Sequence, residues 1–152
     1  MLVKIFFIIR GIYNSSLSRS LFYRLVNYFL YPIYRLIMWS YGSSIPIDSK
    51  IKGKLTLPHG LYGIFISRNA QIGTNVTILH HVTIGSVLDE NSKLYGYPKI
   101  GDNVYIGAGA KVIGNVNIGS GARIGANCVV HVDVPPNCTI VAHAARIIEN
   151  AK

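Results

Sequence analysis

The chain has 152 residues, half of them apolar, with 15 Lys and Arg against 6 Asp and Glu, a formal charge of +9. That length predicts one domain, with room for an appendage. The charge comes without a Lys/Arg run or a recognition motif, so nucleic-acid binding is not expected; an anionic surface or a phosphate-bearing ligand fits better. Two cysteines and five scattered histidines predict neither a disulfide scaffold nor a metal site. A reducing cytoplasm is the compartment this usage suggests.

Residues 1–42 stand apart. They hold Lys4, Arg10, Arg19, Arg24 and Arg35, no acid, and eleven of the chain's sixteen aromatics. Met1 to Ile9 is apolar, ends at Arg10, and lacks a clean cleavage site. It is shorter than the roughly 20 residues a spanning helix needs. Asn14-Ser15-Ser16 reads as a break. Leu17 to Trp39 then predicts a helix with Leu17, Leu21, Leu25, Tyr28 and Phe29 on one face, Arg24 and Asn27 off it. Pro32 is expected to kink or divide it, leaving a second piece, Ile33 to Ser40, that carries Arg35, Leu36 and Ile37. Two readings stand side by side. Cations, Tyr/Trp and Leu/Phe without acids describe a helix lying on anionic lipid at the inner membrane face. The same apolar faces equally suit packing on the main domain or between subunits. Gly42, Ser43 and Ser44 mark the hinge between this segment and a domain over 43–152.

The main domain is organised by a repeat of six. Ile100, Ile106, Val112, Ile118, Ile124 and Val130 lead successive hexads, and Gly follows four of the first five leaders. Four residues after these five leaders come Val104, Ala110, Val116, Ala122 and Cys128, all small or β-branched. The frame extends upstream through Ile66, Ile72, Ile78 and Ile84, and further through Ile45, Ile51 and Leu57. Six fits neither the 3.6 of a helix nor the 2 of a strand as one long element. It fits short strands joined by tight corners, three to a coil, the coils stacked in parallel about 4.8 Å apart. The Gly after each leader is expected to serve a corner with unusual φ/ψ. Stacking makes the core, since no coil buries its apolar face alone. Cys128 reads as a small core residue, and Cys138 falls in a Pro-rich terminal stretch.

These hexads resemble the left-handed parallel β-helix of hexapeptide-repeat acyltransferases. Ile78-Leu-His-His-Val-Thr-Ile-Gly85, Pro98-Lys-Ile-Gly101, Ile106-Gly-Ala-Gly-Ala-Lys-Val-Ile-Gly114 and Ala145-Arg146-Ile147 are similar to the serine acetyltransferase branch, which includes acetyltransferases of polysaccharide biosynthesis. The resemblance spans about residues 44–148. It implies a β-helix of four to five coils and a homotrimer with active sites between subunits. It also implies acetyl-CoA held along a groove by backbone near Ala108, Gly109 and Ala126. Lys111, Arg123 and Arg146 are candidates to meet its phosphates, and equally suit a solvated outer face.

The hexad clock breaks twice, and loops on a rigid scaffold are where function concentrates. Nine residues separate Leu57 from Ile66, the surplus falling around Pro58-His59-Gly60-Leu61-Tyr62-Gly63. Sixteen separate Ile84 from Ile100, so Ser86 to Tyr97 forms an excursion holding Asp89, Glu90, Lys93, Tyr95 and Tyr97. His59 falls at the catalytic histidine of the resembled family. A base that titrates near neutrality suits proton removal from a hydroxyl attacking a thioester. His80 and His81 occupy outward positions, where they line the cleft or sit at a subunit interface. His131 and His143 are assigned no chemistry.

The departures from the family pattern shape the expected acceptor. The aspartate that orients the family's histidine is Ser44 here, and the one preceding that histidine is Pro58. The family's Arg-His pair ahead of Pro-Lys-Ile is Gly96-Tyr97, which removes the Arg an amino-acid carboxylate would want. The last motif reads Ala142-His143-Ala144-Ala145-Arg146. The expectation is therefore acetylation of a sugar or glycan hydroxyl contacted by Tyr62, Tyr95 and Tyr97. Transfer is expected to be direct, since no Ser or Cys sits in a nucleophile context. Asp89, Glu90 or a backbone carbonyl remain to orient His59. Serine O-acetylation and a catalytically silent scaffold are the alternatives.

Overall fold

A computed structural model describes residues 2–13 and 21–143. Two helices, α1 (Leu2–Tyr13) and α2 (Leu21–Ser40), precede a left-handed parallel β-helix with three flat walls. The first wall stacks β1 (Lys50–Ile51), β3 (Gln71–Ile72), β6 (Lys99–Ile100) and β9 (Asn117–Ile118). The second stacks β4 (Thr77–Ile78), β7 (Tyr105–Ile106), β10 (Arg123–Ile124) and β12 (Thr139–Ile140). The third stacks β2 (Phe65–Ile66), β5 (Thr83–Gly85), β8 (Lys111–Ile113) and β11 (Val129–Val130). The chain runs first wall, second, third, then first again. Isolated bridges Ser44↔Phe65, Thr56↔Thr77 and Ile118↔Val134 add a partial rung to each wall.

The register shows why hexads make this shape. Every pairing between the named strands is parallel and sets leader beside leader: Ile66 on Ile84, Ile72 on Ile100, Ile106 on Ile124. The leaders Ile66, Ile72, Ile78, Ile84, Ile106, Val112 and Ile124 are buried, as are Ala70, Val76, Val82, Val104, Ala110, Val116, Ala122 and Cys128. β-Branched leaders suit a pleated surface packed on one side. Burial holds the Cys128 thiol above its usual pKa. Ile51 and Leu57 are only half-buried, being in the first coil, where the helices do part of the covering.

The glycines after the leaders serve a different purpose from the one expected. They have no left-handed φ; that conformation falls two residues later, at Asn75, Asn103, Asn127, Gly109 and Gly121. Closeness explains them instead. A Cβ on Gly107 would stand 2.7 Å from the backbone nitrogen of Ala126 in the next coil. A third break in the clock also emerges, where Val134 rather than residue 136 pairs with Ile118. The shortened corner is closed by Asp133, whose carboxylate accepts the Asn117 N–H at 2.7 Å and stays ionised to lower pH than usual because of that bond.

The helices are packed on the β-helix, and α2 departs from the sequence reading at its proline. α2 continues through Pro32 as one element. The carbonyl freed by the proline, four residues earlier at Tyr28, lies on the exposed side. The core face is Tyr34, Ile37 and Met38, not Leu25, Tyr28 and Phe29, which are exposed. Leu17, Arg19 and the Asn14-Ser15-Ser16 break lie outside the described residues, as do the side chains of Leu21, Arg24 and Asn27. Phe6 of α1 stacks on Tyr34, ring centroids 5.6 Å apart. The Tyr34 hydroxyl donates to the Ile45 carbonyl at 2.7 Å, and burial raises its pKa.

Arg10 is more than the end of an apolar run. It is buried, and Nη1 donates to the carbonyls of Pro46 and Ile47 and to Ser49 Oγ, while Nη2 donates to the Ser49 carbonyl. Burial lowers its pKa. The turn after α2 is closed: Ser43 N–H reaches the Met38 carbonyl at 2.8 Å, with Gly42 at φ +58. That is a Schellman cap, so the Gly42–Ser44 hinge is a fixed corner. Among the described residues no helix is long and apolar enough to cross a membrane.

Candidate active site

The corner between the second and third walls repeats with one plan in successive coils. Three residues past each second-wall leader comes a left-handed residue: Gly60 at φ +74, His81 at 57, Gly109 at +72 and Asn127 at 55. Two residues past the leader come His59, His80, Ala108 and Ala126, one coil above another. Backbone bonds lock this column. Gly109 N–H donates to the His80 carbonyl at 3.0 Å, and Asn127 N–H to the Ala108 carbonyl at 2.8 Å.

His59 and His80 touch. Their Nδ1 atoms are 2.6 Å apart and their ring centroids 4.8 Å, tilted by 38°. One nitrogen must carry the hydrogen and the other a lone pair. His59 is exposed and His80 half-buried, so the pair is presented at the surface of the corner. The residues are 21 apart in sequence, the length of a coil lengthened by the extra residues around His59.

His81 faces elsewhere. It is the only described non-glycine, non-asparagine residue with positive φ. Its N–H donates to the Tyr62 carbonyl at 2.9 Å, and its ring occupies the space that a side chain at Gly63 would fill. The His80 and His81 rings are 5.4 Å apart, edge to face. Tyr62 is exposed and sets its ring edge on Tyr41 at 4.7 Å.

Above the histidines the corner narrows to a strip of small residues. The N–H groups of Ala108 and Ala126 make no hydrogen bond among the described residues. Such groups want an acceptor, and the absence of a Cβ at Gly107 brings the two coils close. Lys111 closes the strip: its ammonium donates to the carbonyls of His81 and Gly109, both at 3.0 Å. Arg123 lies over the Tyr105 ring, 4.5 Å from its centroid, on the second wall. Arg146 lies outside the described residues.

The excursion leaves the third wall after Gly85 and returns to the first wall at Lys99, so it springs from a different corner of the prism. Val87 and Gly96 pair antiparallel at its base. Asp89 accepts the Asn91 N–H at 3.0 Å, and the Tyr95 hydroxyl lies 3.5 Å from Glu90. The Lys50 ammonium sits over Tyr97, 5.9 Å from the ring centroid. The structure thus brings together His59, His80, His81, Lys111, Gly109, Ala108 and Ala126. Within one chain it does not bring Asp89, Glu90, Tyr95 or Tyr97 to them. Among the described residues no group of three or more His, Cys, Asp or Glu side chains is arranged to hold a metal ion.

The bond from His59 to His80 was legible in principle. Both residues stand two places past a leader of the second wall, three leaders apart. Seeing it requires counting walls as well as hexads. The Lys50–Tyr97 contact has no such signal, since it joins an early strand to a loop two coils on.

Comparison with known proteins bears on the chemistry. Residues 97–132 match the bacterial transferase hexapeptide model of six repeats. The chain is 49% identical over 102 residues to the probable serine acetyltransferase 1 of Oryza sativa subsp. japonica, a match covering 66% of this chain and 32% of that protein. It is 44% identical over 108 residues to a serine acetyltransferase of Staphylococcus aureus, covering 71% of this chain and 49% of that one. The crystal structure of Neisseria gonorrhoeae serine acetyltransferase superposes with a TM-score of 0.69 at 33% identity, over 97% of this chain and 54% of that one. The chain therefore spans a third to about half of the length of these relatives. These matches overturn the expected sugar acceptor: the relatives are serine acetyltransferases, not polysaccharide O-acetyltransferases. The expectation rested on a missing Arg beside Tyr97, and the structure supplies a cation there, Lys50, from another strand. The repeat, the three-walled coil and these matches show a hexapeptide-repeat left-handed β-helix and support the hexapeptide transferase superfamily.

Proposed function

We propose that this chain transfers the acetyl group of acetyl-CoA to the hydroxyl of serine, with His59 as general base. The observation that carries the reading is the column at the corner: a hydrogen-bonded histidine at one end, and open N–H groups of Ala108 and Ala126 along the next two coils. Those N–H groups suit the amide carbonyls of a pantetheine arm, and the small side chains leave it room. His59 Nε2 takes the proton as the serine oxygen bonds to the thioester carbon. When the carbon–sulfur bond breaks, the same proton passes to the departing sulfur, so the base is regenerated. Lys50 beside Tyr97 suits the serine carboxylate.

The excursion and the histidines lie at different corners of one chain, so the reading needs a homotrimer. One subunit's Lys50 and Tyr97 then face the next subunit's His59. Lys111, Arg123 and Arg146 stay assigned to the cofactor phosphates, with Lys111 leaving the carbonyls of His81 and Gly109 to do so. The test is direct. Purified protein, acetyl-CoA and L-serine should yield O-acetylserine by mass spectrometry with stoichiometric thiol release. Thiol release no faster than in buffer overturns the reading.

We also propose that α2 rests on an anionic membrane surface. Its outer face exposes Leu25, Tyr28, Phe29, Ile33, Leu36 and Trp39, the last 80% exposed, beside the cation Arg35. Flotation with anionic and neutral vesicles tests it. Binding to anionic vesicles that is lost in a Leu36→Glu, Trp39→Glu variant supports it, and no binding refutes it.

A further inference from the structure

We infer that His80 is the positioning residue of His59, taking the place a carboxylate holds in other acid–base pairs. The inference rests on the reading of His59 as the base. The 2.6 Å contact between Nδ1 atoms admits two arrangements. If His80 donates, His59 carries its own hydrogen on Nε2 and has no lone pair there for an acceptor hydroxyl. If His59 donates, its Nδ1 holds the hydrogen and Nε2 is free to take a proton. Only the second arrangement makes His59 a base, and it makes His80 an acceptor through Nδ1 with its own hydrogen on Nε2. His80 then fixes both the ring plane and the tautomer of His59.

No carboxylate competes for this role among the described residues. Asp48 pairs with Arg68 at 3.4 Å, Asp89 caps its own loop, and Glu90 faces Tyr95. Asp102 accepts the Thr74 N–H at 2.7 Å, and Asp133 holds Asn117. Ser44 sits in a bridge with Phe65, and Pro58 has no acceptor side chain. The contact is also too short for a shared metal. Two imidazole nitrogens on a tetrahedral zinc at about 2.0–2.1 Å stand roughly 3.3 Å apart. In the proposed reaction His59 takes the serine proton on Nε2 and becomes an imidazolium. Its Nδ1–H is then shared more strongly with His80, which spreads the charge without any net transfer.

His80→Ala tests this without threatening the fold, because Ala108 and Ala126 hold the same place in the next two coils. His80→Asn is the conservative partner, since its Oδ1 stands where Nδ1 was and accepts the same hydrogen. His80→Ala should lower kcat roughly 10- to 100-fold with KM for both substrates within about threefold. His80→Asn should recover most of that loss. A second readout does not depend on turnover. Nitrogen-15 NMR of labelled histidine should show His59 protonated at Nδ1 in the wild type, and should show that preference lost in His80→Ala. Retention of kcat in His80→Ala, or a His80→Asn variant no better than it, overturns the inference. So does a His59 that carries its hydrogen on Nε2 in the wild type. Should the wild type acetylate no serine, the proposed function fails by itself, and the tautomer measurement still decides the role of His80.

Discussion

Arg10 Nη1 donates to Ser49 Oγ at 2.8 Å, tying the first helix to the first coil of the β-helix. The same guanidinium takes the carbonyls of Pro46, Ile47 and Ser49. A buried cation is costly unless every donor is used, and here the donors meet a ring of oxygens. Arg10→Ala should cost about 2–3 kcal/mol, the range for a lost hydrogen bond to a charged group and the acceptors left behind. Urea unfolding measures the total. Hydrogen exchange should show the loss concentrated in Leu2–Tyr13, and uniform loss across the coils would contradict the tie.

Gly63 gives His81 its room. It has φ +63, and a Cβ there would enter the His81 imidazole. Gly63→Ala should therefore destabilise by about 1–3 kcal/mol, through the left-handed backbone and the clash together. It should also reduce acetyl transfer, since His81 adjoins His80. Thermal unfolding and turnover on the same variant check both. An unchanged melting temperature would remove Gly63 from the corner's design.

Asp133 links stability to pH. Its bond from Asn117 N–H lowers its pKa in the folded chain. A carboxylate with a lowered folded pKa contributes stability above its unfolded value, about 3.9, and loses it as pH falls through the folded value. Asp133→Asn keeps an acceptor but cannot titrate. Between pH 6 and pH 3 the wild type should lose more melting temperature than Asp133→Asn. Asp102 is held the same way by Thr74 and adds a parallel slope in both proteins. Equal losses would show that the Asn117 bond does not distinguish the folded state.

A site completed between subunits makes a prediction by mixing. His59→Ala supplies an intact Lys50–Tyr97 half, and a Lys50→Ala, Tyr97→Ala variant supplies an intact histidine half. Each alone should be inactive or nearly so. Unfolded and refolded together in equal amounts, they should regain about a quarter of wild-type activity, since half the subunits bring each half at random. No recovery would place the whole site in one chain.

The fold was largely legible because hexads are local: a leader and its wall residue recur whatever the partner coil holds. Ile66, Ile72 and Ile84 could be named as core from spacing alone, and they are buried. What stayed hidden depends on which coil faces which. The partners of Arg10 lie 36 to 39 residues away, and no period connects them. The sequence does not select the buried face of α2, because its aromatics fall on both sides and apolar spacing marks no single stripe. His59 is marked by a break in the clock together with its place at the histidine of the resembled family. Its partner His80 sits inside an unbroken hexad, and nothing in that hexad alone marks its side chain as different from Ala108 or Ala126.

The most direct measurement is kcat/KM for acetyl transfer to L-serine in wild type and His59→Ala. A general base contributes about 10²–10⁴-fold, so His59→Ala should fall about a thousandfold while circular dichroism and melting temperature remain those of the wild type. A His59→Ala variant that acetylates serine within a few-fold of the wild-type rate would contradict the account at its centre.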